Sequence, residues 1–316
     1  MAKRLFCIIK RLGNKPSVKR LNVDSWSLFK RPFHENLILF QSCQISSTSL
    51  PQRDVSVLTS HKKNVDGIDF HYEVIGKGEH HVLLIPGALG FSRIFLPQLT
   101  GLSSEKYTLI AFDPRGFGKS RPPDRDWPLM YMQRDAEDAA QFMKSLGIPR
   151  YSVLGWSDGG TVGLILAANY TGSVQKLLVW GANAYVNEQD LEFCNSVKEV
   201  KDWSPKMRDA YTEVYGEEYL TKQSKAWVHA THNYFTQRNG DICIGSLPNI
   251  KCPTLIVNGQ KDSIISQEHA AFLVKHIPNC KLIEWPDGKH NLHLQHPKQF
   301  NVLAEEFLDE GNTIKV

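Results

Sequence analysis

The chain has 316 residues, of which 41% are hydrophobic and 22% charged, enough apolar material for one large α/β domain or two ordinary ones and too much for wholesale disorder. No run approaches the 18 consecutive apolar residues of a membrane span, so none is expected. The net charge of +4 is unevenly placed: residues 1–60 hold ten Lys or Arg against three Asp or Glu, while residues 61–316 hold 27 against 30. That leaves a mildly acidic body, with no basic patch to suggest nucleic acid.

Residues 1–55 read as a targeting tail, the plain alternative being a disordered cationic tail without an address. Lys3, Arg4, Lys10, Arg11, Lys15, Lys19 and Arg20 precede the first acidic residue, Asp24, and Leu5, Phe6, Ile8, Ile9 and Leu12 lie between them. A short helix of that composition has one apolar and one cationic face, and Ser46–Ser49 adds hydroxyls. Basic, amphipathic, hydroxylated and acid-poor is the make-up of a mitochondrial transit peptide; the long apolar stretch of a secretory signal is missing.

From residue 56 the pattern is globular, and residues 56–316 read as one domain. Ser56–Leu58 and Ile68–Val74 are expected as strands flanking a turn at Asn64–Gly67. Val82–Ile85 is a continuous apolar run of the kind buried parallel strands show, Tyr107–Phe112 repeats that character, and Tyr151–Leu154 reads as another buried strand. Asp135–Leu146 has helical apolar spacing, and Thr161–Asn169 is a second helix. Lys176–Trp180, Thr254–Val257 and Lys281–Trp285 are further strands, and Val302–Leu308 is a closing helix. Strand and helix alternate, which predicts an α/β fold with a mostly parallel, doubly wound sheet. Glu188–Arg238 breaks the alternation with mostly helical sequence, so residues 187–240 or so are expected to form a helical lid over the carboxyl ends of the strands. Its aromatics Trp203, Tyr211, Trp227 and Tyr234 suggest an apolar pocket or simply pack the lid.

Six cysteines, Cys7, Cys43, Cys194, Cys243, Cys252 and Cys280, form no C-x-x-C pair and no zinc-type spacing, so reduced, mostly buried thiols are expected.

Gly155-Trp-Ser-Asp-Gly159 satisfies G-x-S-x-G between an expected strand and an expected helix. There a tight turn lifts Ser157 above the sheet edge. A serine hydroxyl needs a base, and the base needs a group that fixes its tautomer. Asp262 follows the strand Thr254–Val257, 105 residues after Ser157, and His290 follows Lys281–Trp285, 28 residues later. All three should reach one rim. His293 and His296 are the rival bases, and Asp287 the rival acid. Two backbone N–H groups are expected to face the developing oxyanion: that of Asp158, and that of Ala88 in the loop Pro86–Gly90, with Leu89 as second choice. The loop Asp113–Ser120 reads as structural, with Arg115 bracing the Pro86–Gly90 loop. Asp158 next to a nucleophile opposes the oxyanion unless the substrate brings a cation; the plain alternative is that it caps the following helix.

Pro86-Gly-x-x-Gly90, Asp113-x-Arg-Gly-x-Gly-x-Ser120, Gly155-x-Ser-x-Gly-Gly160 and the late Asp262 and His290 together resemble the α/β-hydrolase superfamily. Ser120–Asp126, Leu154–Gly160, Trp180–Val186 and Gly288–Leu294 resemble its biphenyl hydrolase-like family, over nearly everything after residue 65. The resemblance implies a serine esterase acting on α-amino acid esters, including those of nucleoside-type alcohols, with Asp158 binding the substrate's α-ammonium, and it implies mitochondrial residence. Neither a metal nor an organic cofactor is expected, and the expected partner is a small ester met by a monomer. C–C bond hydrolysis, aminopeptidase action or thioester hydrolysis on the same triad is the alternative within enzymes, and a non-catalytic ligand-binding protein the alternative outside them. Dehalogenase and epoxide hydrolase chemistry would need a carboxylate where Ser157 stands.

Overall fold

A computed structural model describes residues 57–310. The expected transit segment, residues 1–55, lies wholly outside them. The described strands are β1 (Thr59–Val65), β2 (Ile68–Ile75), β3 (His80–Ile85), β4 (Tyr107–Phe112), β5 (Tyr151–Trp156), β6 (Val174–Trp180), β7 (Thr254–Gly259) and β8 (Cys280–Trp285). They form one sheet in the order β1-β2-β4-β3-β5-β6-β7-β8. β1 and β2 pair antiparallel, as do β2 and β4, and every neighbouring pair from β4–β3 onward is parallel.

The helices are α1 (Leu96–Leu99), α2 (Tyr131–Ser145), α3 (Asp158–Asn169), α4 (Glu188–Ser196), α5 (Pro205–Tyr215), α6 (Glu217–Arg238), α7 (Gln267–His276), α8 (Leu292–Gln295) and α9 (Pro297–Asp309). The apolar strand runs are continuous because both faces of the sheet are covered. Side chains alternate between faces along a strand. Leu83, Ile85, Val153 and Val179 therefore join one core with residues of α2, α3 and α7, and Val82, Leu84, Leu154, Leu178 and Trp180 join a second with Phe300, Ala304 and Phe307 of α9. This is the doubly wound α/β architecture that the alternation predicts.

The first strand differs from expectation. It runs over Thr59–Val65, not Ser56–Leu58, and most of its residues are exposed. An edge strand held by backbone pairing to one neighbour needs no apolar face, so TSHKKNV carries no strand pattern. The two late helix starts also move: α2 begins at Tyr131 and α9 at Pro297. Glu188–Arg238 folds as α4, α5 and α6 with a short 3-10 turn at Val200–Asp202. Among the described residues no helix is long and apolar enough to cross a membrane. Cys194, Cys243 and Cys252 are buried free thiols and Cys280 is a half-buried one.

Candidate active site

Parallel strands deliver their carboxyl ends to one edge, and four functional segments leave the sheet there: the turns after β3, β5, β7 and β8. Ser157 sits between β5 and α3 with φ 57° and ψ −129°, a backbone region L-residues rarely adopt and one that costs on the order of 1–3 kcal/mol. The close approach of β3 helps to enforce it. A Cβ on Gly159 would stand 2.2 Å from the Ile85 carbonyl oxygen, so only glycine lets α3 start so near the loop after β3.

The three residues expected at one rim do meet. The Ser157 hydroxyl lies 3.0 Å from His290 Nε2, and His290 Nδ1 lies 2.9 Å from Asp262 Oδ2. A carboxylate only accepts, so Nδ1 carries the ring proton and Nε2 presents its lone pair to the serine hydroxyl. The Asp262 side chain is 3% exposed and that of His290 11%. Asp262 Oδ1 accepts the amides of Ile264 and Ile265, which fix the carboxylate. The Trp156 indole N–H donates to the His290 carbonyl. Gly181, after β6, has φ +60°, and a Cβ there would sit 2.7 Å from the His290 ring. A hydroxyl with a base in reach, and a base held in one tautomer, is the apparatus nucleophilic acyl transfer requires.

The rivals are engaged elsewhere. His293 is fully buried, its Nδ1 accepts from the Trp180 indole, and burial holds it well below the usual histidine range, hence neutral. His296 stacks on Trp285. Asp287 pairs with Lys261 at 2.6 Å, which lowers its pKa.

Gly87 packs directly on the nucleophile: a Cβ there would be 2.8 Å from that of Ser157. The turn it opens, through Ala88 and Leu89, closes with Gly90 N–H donating to the Gly87 carbonyl at 2.9 Å. Among the described residues neither the Ala88 nor the Asp158 N–H has an acceptor. Arg115 does not brace this loop; its guanidinium makes a bidentate bond to Asp138 of α2. Asp113 holds the segment just beyond the loop. Its Oδ1 accepts the Ser92 amide at 2.6 Å, while Oδ2 accepts from His71 and from the Lys119 amide.

Asp158 does not cap α3. It is the first helical residue, and the cap position makes no side-chain bond. Its Oδ2 accepts from Tyr131 Oη at 3.1 Å and from Trp227 Nε1 at 3.0 Å, leaving Oδ1 without a donor among the described residues. The residue is partly accessible but closely surrounded. Burial raises its pKa to about 6, against the lowering effect of the Trp227 and Tyr131 hydrogen bonds. It borders a small cavity lined by Phe117, Trp127, Tyr131 and Val162. Deeper in the same wall Arg125 is matched by a bidentate bond to Asp135.

Tyr131 and Asp113 are absent from the sequence-based site, and Trp227 enters it only as one of several insert aromatics. Of the four aromatics singled out there, only Trp227 bonds to the site. Tyr211 is buried beside Phe91, Trp203 donates within the insert to the Val197 carbonyl, and Tyr234 donates to Gln133 of α2. Among the described residues no cluster of His, Cys, Asp and Glu could hold a metal ion.

Residues 82–302 match the family model described as the alpha/beta hydrolase family. The serine hydrolase BPHL of Mus musculus is 43% identical over 284 residues, covering 88% of this chain and 98% of that protein. Its counterpart in Homo sapiens is 44% identical over 252 residues, covering 79% and 87%. Among solved structures, the 2-hydroxy-6-oxo-6-phenylhexa-2,4-dienoate hydrolase from Rhodococcus sp. strain RHA1 superposes with a TM-score of 0.68 at 16% identity, over 80% of this chain and 99% of that one. This likeness reports the fold alone. With the family model spanning most of the globular part and relatives above 40% identity along nearly their whole length, the chain belongs to the α/β-hydrolase family and is a hydrolase of its biphenyl hydrolase-like branch.

Proposed function

We propose that the protein is a serine esterase that cleaves α-amino acid esters, nucleoside-type alcohols among their leaving groups, through an acyl-enzyme on Ser157. In this reading the Ser157 hydroxyl attacks the ester carbonyl carbon and its proton passes to His290 Nε2. The imidazolium so formed is supported by Asp262. The carbonyl oxygen takes the electron pair and meets the N–H groups of Ala88 and Asp158, which need no reorganisation to receive it. The tetrahedral adduct collapses, the bond to the alcohol oxygen breaks, and the His290 proton leaves with the alcohol. Water then repeats the sequence: it gives a proton to His290, attacks the acyl carbon, and Ser157 recovers its proton as the amino acid departs.

The observation that carries the substrate class is the carboxylate of Asp158, one residue from the nucleophile, with one oxygen held by Tyr131 and Trp227 and the other free. An unpaired anion here works against an oxyanion. An ammonium on the substrate's α-carbon reverses that, since opposite charges at about 4 Å attract by several kcal/mol at intermediate effective dielectric. The insert α4–α6, lying beside this pocket through Trp227, serves as its lid.

The test is a paired panel of esters with and without the α-amine. Ser157→Ala should abolish turnover of both classes, by at least about a thousandfold. Asp158→Asn should cut kcat/KM for the cationic ester roughly 100-fold, the order for losing one partner of a desolvated charge pair. The neutral ester should change little. Beyond the acid loss that a histidine base imposes on both classes, the cationic ester should lose further kcat/KM as the pH falls through about 6, where Asp158 protonates. Equal losses for both classes, or identical pH profiles, would remove the recognition role from Asp158.

A further inference from the structure

We infer that Tyr215, at the last turn of α5, is a positioning residue that holds the Ala88–Leu89 turn in its oxyanion-binding form, so that the turn is set only while the helical insert is seated. The inference rests on the reading of Ser157 as nucleophile.

The turn is strained. Leu89 has φ 56°, a conformation that crowds the Cβ of an L-residue against the following carbonyl oxygen and is normally given to Gly or Asn. Left alone, Leu89 would relax to negative φ and rotate the Ala88–Leu89 peptide, which borders the Ala88 N–H assigned to the oxyanion. Something must hold it, and within its own loop the turn has one closing bond, from Gly90 N–H to Gly87.

The second hold comes from 126 residues away. The Tyr215 hydroxyl donates to the Leu89 carbonyl at 2.7 Å, with the Gly90 carbonyl next at 3.4 Å, and it accepts the Gly118 amide at 3.0 Å. One phenol thus ties the turn after β3 to the loop Asp113–Ser120. Asp113 of that same loop grips the far end of the segment at the Ser92 amide. Tyr215 is 5% exposed and packs with Leu89, Phe117 and Tyr211. Burial raises its pKa well above the usual phenol range, so it keeps the proton it donates.

A neighbouring tyrosine supplies the control. Tyr219, in the first turn of α6, stacks on Tyr215 and also joins the insert to the body. Its hydroxyl donates to the Gly116 carbonyl and accepts the Arg125 amide, and it makes no bond to the turn after β3. Both phenols fasten the insert; only Tyr215 fastens the turn.

The experiment compares wild type, Tyr215→Phe and Tyr219→Phe for hydrolysis of p-nitrophenyl acetate, for affinity toward phenylboronic acid, and for Tm. A boronate forms a tetrahedral adduct with an active serine and reports oxyanion binding apart from turnover. Tyr215→Phe is expected to lower kcat about tenfold with KM within about twofold, a part of the 100- to 1,000-fold that a whole oxyanion donor supplies. Phenylboronic acid should weaken in parallel, and Tyr219→Phe should leave both readings within about twofold. Equal losses in the two variants would reduce Tyr215 to general anchoring and overturn the proposal. So would a fall in Tm with boronate affinity intact, or no change at all. If wild type neither hydrolyses the ester nor binds the boronate, the nucleophile assignment itself is wrong, a result distinct from the others.

Discussion

In the proposed function Asp158 answers two opposing demands. Recognition of a cation needs it ionised, yet its surroundings raise its pKa to about 6. A carboxyl held protonated to about pH 6 when folded, but releasing its proton at about 3.9 when unfolded, binds more protons in the native state across that window. Folding stability therefore falls as pH rises from about 4 to 6, and above 6 the site carries the full cost of a poorly solvated charge. Asparagine keeps an acceptor for Tyr131 and Trp227 without that charge. Asp158→Asn should raise Tm at pH 8 by on the order of 2–5 °C, with the gain vanishing near pH 4, as calorimetry across pH would show. A variant less stable than wild type at pH 8 would mean that the ionised carboxylate is well solvated. The two residues that hold Asp158 were hidden in the sequence for a simple reason. Tyr131 begins a helix and Trp227 sits within another, and an aromatic side chain in a helix reads as packing. Ser157, Asp262 and His290 were legible because each stands next to a strand end, and a parallel sheet gathers its strand ends at one edge.

The helical insert is attached at its entry as well as by Tyr215 and Tyr219. Asp190 closes the capping box at the start of α4 and accepts from His269 of α7 at 3.0 Å, with both side chains buried. Asn187 Nδ2 and Tyr185 Oη both reach Glu268 beside it. Replacing His269 with Leu leaves a buried carboxylate one donor short, at a cost of about 1–3 kcal/mol. Amide exchange in residues 188–238 should then speed up while β3 and β5 keep their protection; uniform loss across the sheet would show that the pair supports the whole domain instead. The interruption between β6 and β7 was readable as a helical insert because its pattern breaks the strand–helix alternation. Its bonds to the body were not, since a hydroxyl that meets a carbonyl 126 residues away leaves no periodicity. β1 was displaced for the opposite reason: it has no face to bury, and the apolar residues just before it mimicked a strand.

Across the whole chain, charge divides where the globular pattern begins. The excess of seven positive charges in residues 1–60 contrasts with an acidic remainder. We propose that residues 1–55 carry the protein into mitochondria, as their basic, acid-poor and amphipathic composition suggests. A fluorescent protein fused behind residues 1–55 should colocalise with a mitochondrial marker, and replacing the seven Lys and Arg before Asp24 by Gln should disperse it; a fusion spread through the cytosol from the outset would refute the assignment.

The chemistry itself rests on Ser157 acting as a nucleophile activated through His290. Reaction with a fluorophosphonate, followed by peptide mass spectrometry, measures that directly. The account predicts one adduct, on Ser157, formed in wild type and lost in both Ser157→Ala and His290→Ala. No adduct on the folded wild-type protein, or an adduct on another residue that survives Ser157→Ala, would contradict it.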